Sequence, residues 1–456
     1  MSVARPKDLT VGLLGLEVPT NSPTIEWNDG HKTILPALYD SNNVNVCHTV
    51  DIPIIKYLAQ CPESTPHSKH VLHISNTDFP TSDALDPISD ALSQNKPVVI
   101  RGIGNHHVGQ ELTADFLDQY YAISPHRAVW VHDVKARAVD HMNPTKPAIL
   151  KDFFKAMKDP ETIQCVLDFP LAQASLPDAL KNLDHGLTYG WNGTTYDVPI
   201  TSKVHPENFS VKGWALLHHA GFLTYPHHDA EGALTWAKME VGVKFWVVFR
   251  PKDRHDDRQH LRDMAMNLAN MTENGPWIRQ NCDAEVVTLY PGDIIIMPPA
   301  QVHAVYTPVA SLATGGHFYH YGCMHLTEIS RYLDVSSGDC LTNQILHNAL
   351  ETLRRMMIAM PRLSPRIRLF KRSILALCIM VKNGKQYRAK GGPQSAVADT
   401  ETATPSLDIA IAIASHLGVT KRKPAHTLLY NGDQLDRGKL IEREKLDKAI
   451  EKFTAL

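Results

Sequence analysis

Apolar residues fall along this chain in two rhythms. Between residues 211 and 322 they come as short runs: Trp214-Ala-Leu-Leu-His-His, Ala233-Leu-Thr-Trp, then 241–249, 285–290, 294–297, 302–306 and 312–319. The runs are rich in β-branched, aromatic and aliphatic side chains, and Gly or Pro punctuates many of the gaps. Closely spaced short strands of this kind predict a sandwich or barrel. Residues 251–283 interrupt them with a charged insertion that carries a predicted helix at 256–270. After about residue 325 the rhythm turns helical. Apolar positions recur at a period of about 3.6 over 341–360, and 439–453 reads as a charged amphipathic helix with opposite charges one turn apart.

Upstream, Lys96-Pro-Val-Val-Ile-Arg-Gly reads as a buried strand ending at Gly102, 112–121 as a helix, 128–134 as a strand and 149–157 as a helix. That alternation predicts a mixed α/β flank over 85–210. Residues 1–84 mix Pro, Asn, Ser and Thr with short apolar pieces and read as a poorly defined, loosely ordered extension. The chain then divides into a core at 211–325 and a helical region at 326–456, with a Gly/Ser/Thr/Ala-rich linker near 391–406. The longest apolar run, 374–381, has eight residues, far short of the roughly 20 that a membrane-spanning helix needs. The first residues lack the sustained apolar stretch of an export signal. An intracellular protein without a membrane partner is expected.

Composition changes this picture in two places. Across 456 residues, 46 Lys+Arg stand against 48 Asp+Glu, which excludes a surface that is basic all over. Yet residues 352–398 hold 11 Lys/Arg and no Asp/Glu, leaving 35 against 48 elsewhere. This basic block, 354–390, is a candidate surface for nucleic acid or an acidic partner. Phe370 and Tyr387 are its only aromatic residues, too few for a base-stacking platform. The 7 cysteines lie far apart with no Cys-x-x-Cys pair, which removes zinc fingers and thiol redox motifs and fits a reducing compartment. The triplet Lys421-Arg422-Lys423 keeps a nuclear address open beside a cytoplasmic one. The 25 histidines invite a search for metal-ligand spacing.

That search ends at Thr224-Tyr-Pro-His-His-Asp-Ala-Glu-Gly. In an extended chain residues i and i+2 share a side, so His227 and Asp229 can grip one metal while His228 points away. A third ligand should come from a strand returning alongside, and Tyr290-Pro-Gly-Asp-Ile-Ile-Ile-Met-Pro-Pro-Ala-Gln-Val-His303 supplies one. Two His and one carboxylate form the arrangement of non-heme Fe(II) oxygenases, which leaves positions open for substrate and oxygen. Lys244 adds to this. It sits in Val243-Lys-Phe-Trp-Val-Val-Phe, a strand otherwise apolar on both faces, where a lysine is costly unless paired. The carboxylate of an anionic cosubstrate would offset that cost, with Thr224 as a hydroxyl donor.

The stretch 224–250 followed by 290–319 resembles the JmjC family of Fe(II)/2-oxoglutarate oxygenases. The phrase Val302-His-Ala-Val-Tyr-Thr-Pro-Val-Ala-Ser-Leu-Ala-Thr-Gly-Gly-His-Phe looks like the branch of histone lysine demethylases linked to plant-homeodomain or CXXC modules. The resemblance covers roughly 211–322, and 96–102 looks like the usual strand upstream of it. It implies a double-stranded β-helix (a cupin-like jelly roll) with an N-terminal α/β part and a C-terminal helical region. It further implies Fe(II) on His227, Asp229 and His303, 2-oxoglutarate held by Thr224 and Lys244, and O2 as oxidant. The substrate implied is a protein side chain, with histone methyl-lysine and hence the nucleus as one option. Two departures concern the substrate side. Ala237 follows Trp236 where that branch carries a tyrosine, and His317 follows Gly315-Gly316 where it often has asparagine. Trp236 and His317 are therefore candidate site-lining residues. Set against an active hydroxylase or demethylase is a catalytically silent chromatin or nucleic-acid scaffold that uses the basic block.

Overall fold

The short apolar runs become strands that bury both of their faces. A computed structural model of the chain describes residues 6–10, 23–75, 85–103, 110–171, 174–194, 208–252, 257–338, 341–387, 401–430 and 432–454. Its strands, in chain order, are β1 (Thr24–Glu26), β2 (Lys32–Ile34), β3 (Leu72–Ile74), β4 (Val98–Ile100), β5 (Ala128–Asp133), β6 (Thr145–Ile149), β7 (Gln164–Pro170), β8 (Trp214–His218), β9 (Phe222–His227), β10 (Leu234–Val241), β11 (Lys244–Pro251), β12 (Cys282–Leu289), β13 (Ile294–Met297), β14 (His303–Thr307) and β15 (Ser311–Phe318). They form a two-stranded sheet of β1 and β2, a nine-stranded mixed sheet and a four-stranded sheet. The nine run β3-β4-β13-β10-β15-β8-β7-β5-β6, and the four run β12-β11-β14-β9.

From β8 to β15 the chain passes back and forth between the two larger sheets. Ala237, Met239, Ile295 and Ala313 from the nine-stranded sheet pack against Trp246, Val248, Val287 and Val305 from the four-stranded one. Strand β11 is apolar on both faces because both are covered. Trp246 and Val248 face this interior, while Phe245, Val247 and Phe249 join a second cluster on the outer side.

That outer cluster explains residues 23–75, expected as a loosely ordered extension. Trp27 is buried with its ring centroid 4.2 Å from Phe245 and 5.7 Å from Tyr306, and the helix Asp51–Ala59 adds Ile55 and Leu58. β3 then joins β4 as the one parallel pair of the nine-stranded sheet. The insertion carries two helices, Arg258–Ala269 and Met271–Asn281, rather than one. Gly275 and Pro276, poor helix formers, hid the second from the sequence pattern.

Upstream of the core, helices Ala114–Tyr121 and Leu150–Ala156 lie beside β5, β6 and β7. Helices Met324–Ser337, Ala349–Ala359, Lys371–Lys382 and Ala403–His416 share a further core with Arg443–Ile450. The linker expected near 391–406 lies outside the described residues up to 400, and Ala403 already opens a helix. No described helix is long and apolar enough to cross a membrane.

Candidate metal centre

Strand β9 ends on His227, and strand β14 begins on His303 directly opposite it. A bulge makes this pairing: Thr224 faces Val305, so two residues of β9 are accommodated against one of β14 before His227 meets His303. Pro226 lies within that irregularity, where its missing N–H breaks no ladder bond. Asp229 keeps extended backbone (φ −80°, ψ 161°) before the 3-10 turn Ala230–Gly232, so its carboxylate returns to the side of His227. One ligand atom from each of His227, Asp229 and His303 lies within 4.8 Å of the others. Among the described residues this is the one His/Cys/Asp/Glu group with such spacing.

The rings are aimed by their outer nitrogens. His227 Nδ1 donates to the Tyr225 carbonyl at 2.8 Å and His303 Nδ1 to the Gln301 carbonyl at 3.0 Å. Each leaves an Nε2 lone pair toward the other ring, with ring centroids 4.2 Å apart. Trp246 stacks on His303 at 5.5 Å. Burial, helped by the neighbouring His227, lowers His303 to about 4, so its nitrogen is an unprotonated donor at neutral pH. Burial alone would raise Asp229, but the imidazoles of His303, His227 and His317 outweigh it and hold the carboxyl below the usual range. His303 Nε2 and Asp229 Oδ2 are buried without a hydrogen-bond partner.

Lys244 lies on the same face of the four-stranded sheet, 1% exposed. Its Nζ donates to Thr307 Oγ1 at 2.8 Å, and among the described residues no carboxylate pairs with it. Burial lowers its pKa to about 7. Thr224, half-buried, pairs with Val305 two residues before Thr307 on β14. Two more buried polar atoms lack partners at the neighbouring end of the nine-stranded sheet: His218 Nδ1 and Ser311 Oγ, which face each other across β8 and β15.

The two proposed lining residues part company. His317 is buried against this site, its Nδ1 2.8 Å from Thr235 Oγ1 and its Nε2 3.2 Å from Gln344 Oε1. Trp236 turns the other way. It belongs to a separate cluster on the outer face of the nine-stranded sheet, with Ile100 and Leu217, while its neighbours Ala237 and Met239 face the interior. A one-residue step along a strand reverses the face.

Three residues escaped the sequence reading. Thr307 carries no signal beyond its place on β14. Asp168 sits in the bulge of β7 with φ 50°, and its carboxyl is raised to about 6 by burial and by the charge of Asp229. Asn343 donates to Asp229 Oδ1 at 2.9 Å from 114 residues away.

No family model matches the chain. Curated proteins do, in part. "JmjC domain-containing histone demethylation protein 1" of Caenorhabditis elegans is 24% identical over 189 residues, covering 38% of this chain and 17% of that protein. The protein of the same name from Caenorhabditis briggsae is 30% identical over 111 residues, covering 24% and 10%. That from Cryptococcus neoformans is 27% identical over 139 residues, covering 29% and 16%. The chain thus spans less than a fifth of the length of these relatives. Their shared name supports a relationship to the JmjC proteins.

Proposed function

We propose that the chain is an Fe(II)- and 2-oxoglutarate-dependent dioxygenase whose β8 to β15 form a jelly roll and whose substrate is a protein side chain. A histone methyl-lysine is the first candidate, since the matched relatives are named for histone demethylation, and it would place the chain in the nucleus. The observation that carries this is the convergence of one ligand atom each from His227, Asp229 and His303 within 4.8 Å, where His303 Nε2 and Asp229 Oδ2 are buried and unpartnered. Groups left unsatisfied in a protein interior cost about 1–3 kcal/mol each, and a divalent ion would satisfy both. Two nitrogens and one carboxylate suit Fe(II) with open positions. The second support is Lys244, a buried cation that lacks an anion, with Thr224, Thr307, His218 and Ser311 as further polar groups near it.

In this assignment His227, Asp229 and His303 hold the iron, and Lys244 with Thr224 holds a carboxylate of 2-oxoglutarate. With O2, these cofactors supply an oxidant for a substrate C–H bond, and an N-methyl group so hydroxylated is lost as formaldehyde. The chain's own residues orient and protect. The Tyr225 and Gln301 carbonyls fix both imidazole tautomers, the Lys244 ammonium neutralises the cosubstrate's charge, and the layer of Trp246 and Val305 keeps water from the metal side.

The test is 2-oxoglutarate decarboxylation by purified protein with Fe(II), beside His227→Ala and Lys244→Ala. Wild type should exceed both variants by at least about a hundredfold, the loss typical when a group essential to chemistry is removed. Equal rates with metal bound would overturn the assignment. Mass spectrometry of histone and other protein peptides, read for a gained oxygen or a lost methyl group, separates hydroxylation from demethylation.

A further inference from the structure

The loop that carries Asp229 is gripped from beyond the sheets. The His228 N–H donates to the Leu341 carbonyl at 3.0 Å, and the Asn343 N–H donates to the His228 carbonyl at 3.3 Å. Thr342 therefore runs parallel to His228 as a short bridge. The Leu346 N–H donates to Glu231 Oε2 at 3.0 Å, and Arg331 holds the same carboxylate at 3.3 Å. His228, turned away from the ligand side, is fixed between the Ser330 hydroxyl at 3.0 Å and Asp334 at 2.8 Å. Backbone groups and helix side chains thus latch residues 341–346 onto the loop. The side chain of Asn343 is not needed for that latch.

It is spent on the ligand instead. Asn343 Nδ2 donates to Asp229 Oδ1 at 2.9 Å, while Oδ2 is buried and unpartnered. The next residue, Gln344, meets the far nitrogen of His317, whose near nitrogen meets Thr235. A carboxylate with both oxygens free can rotate about its Cβ–Cγ bond and engage a cation through either oxygen or both. One amide donor on Oδ1 removes that freedom.

We infer that Asn343 is a positioning residue of the metal centre: by holding Oδ1, which lies 3.7 Å from His227 Nε2, it fixes the rotation of the Asp229 carboxylate toward the ion, and the segment 341–346 completes a site whose ligands all come from β9 to β14. The inference rests on the assignment of His227, Asp229 and His303 as metal ligands. An asparagine suits the task because its amide always donates and carries no charge that could repel or titrate beside the carboxylate. Groups that orient metal ligands typically change metal affinity by about 10–100-fold when removed. Asn343 is itself exposed, so water competes for its bond and the lower end of that range applies. For the same reason its truncation opens no cavity.

Co(II), a coloured stand-in for Fe(II), provides the probe. The metal-free full chain is titrated with Co(II), following visible absorption and heat, for wild type, Asn343→Ala, Asn343→Gln and Asp229→Ala. Asn343→Ala should weaken Co(II) about tenfold and shift the absorption bands, with the melting temperature of the metal-free protein unchanged. Asn343→Gln, which keeps an amide donor on a longer arm, should recover part of the affinity. Co(II) affinity and bands equal to wild type in Asn343→Ala would overturn the inference, and so would a lower metal-free melting temperature with affinity intact, which marks a purely structural residue. If wild type itself shows no Co(II) binding that Asp229→Ala abolishes, the metal assignment falls and takes this inference with it.

Discussion

Lys244 shows how one residue can set the pH dependence of a site. Burial drags its pKa from 10.5 to about 7, so above that pH the empty site holds mostly the neutral amine. Binding a carboxylate favours the ammonium, and binding must therefore draw in a proton. 2-Oxoglutarate should bind most tightly below pH 7 and weaken above it, by up to about tenfold per pH unit. Calorimetry in two buffers of different ionisation heat checks this, and an absence of proton uptake at pH 8 would refute it. The same shift bears on stability. Between 7 and 10.5 the folded state binds fewer protons at Lys244 than the unfolded chain does, so stability rises with pH across that window. Lys244→Met should stabilise the metal-free fold by about 1–4 kcal/mol, the gain seen when buried ionic groups give way to apolar ones, while abolishing 2-oxoglutarate binding. The candidate site residues were legible because His-x-Asp obeys the two-residue repeat of an extended chain and Lys244 violates the apolar pattern of its strand. Asn343, Thr307 and Asp168 were not, since their roles arise only when distant segments meet.

Among the elements, β15 is the one whose sequence is dictated most tightly by its neighbours. It lies between β10 and β8 and carries Gly315 and Gly316 before His317. Neither glycine is there for an unusual φ. A Cβ on Gly316 would sit 1.8 Å from the Lys212 carbonyl oxygen, and one on Gly315 2.2 Å from the Trp214 ring. Backbone and a buried indole leave no room to give way. Gly316→Ala should destabilise the fold by about 1–3 kcal/mol or more, the cost of overpacking a filled interior, and disturb His317 through the shifted strand. Denaturant unfolding followed by tryptophan fluorescence measures it, and an unchanged midpoint would contradict the packing described. The strands from β8 onward were readable because each carries several β-branched or aromatic residues between Gly or Pro breaks. β1, β2 and β3 have three residues each, too few for any period to show. Their order comes from what they cover, as the burial of Trp27 against Phe245 and Tyr306 illustrates.

For the whole molecule, the basic block presents a choice between an outer surface and an inner seam. Several of its arginines are engaged within the chain, though only Arg355 is buried among the described ones. Arg355 pairs with Glu351 at 2.8 Å and lies over Trp191. Arg362 donates to the Gly193 carbonyl at 3.0 Å. Arg368 reaches Asp90 at 3.0 Å, and Arg437 binds the same carboxylate while lying over Phe370. These contacts fasten the C-terminal helices to the helix Leu85–Ser93 and to the turn around Gly193. Burial pushes Asp90 up, but its two arginines outweigh this and hold it below its ordinary 3.8. Its stabilising contribution is thus complete at neutral pH and is lost as pH falls through that lowered value. Binding to a polyanion draws on cations free to release phosphate counterions, and arginines held in a seam have little to offer. Replacing Arg368 or Asp90 with Ala should therefore lower unfolding stability, by about 0.5–2 kcal/mol for a half-exposed cluster. A combined Arg366→Ala, Arg368→Ala, Lys371→Ala and Arg372→Ala variant should bind labelled duplex DNA no differently from wild type. Fluorescence anisotropy across a salt series decides between the two roles. A steep salt dependence in wild type that the combined variant loses would return the block to nucleic acid and revive a scaffold, whereas unaltered weak binding with a lowered unfolding midpoint assigns those charges to holding the molecule together.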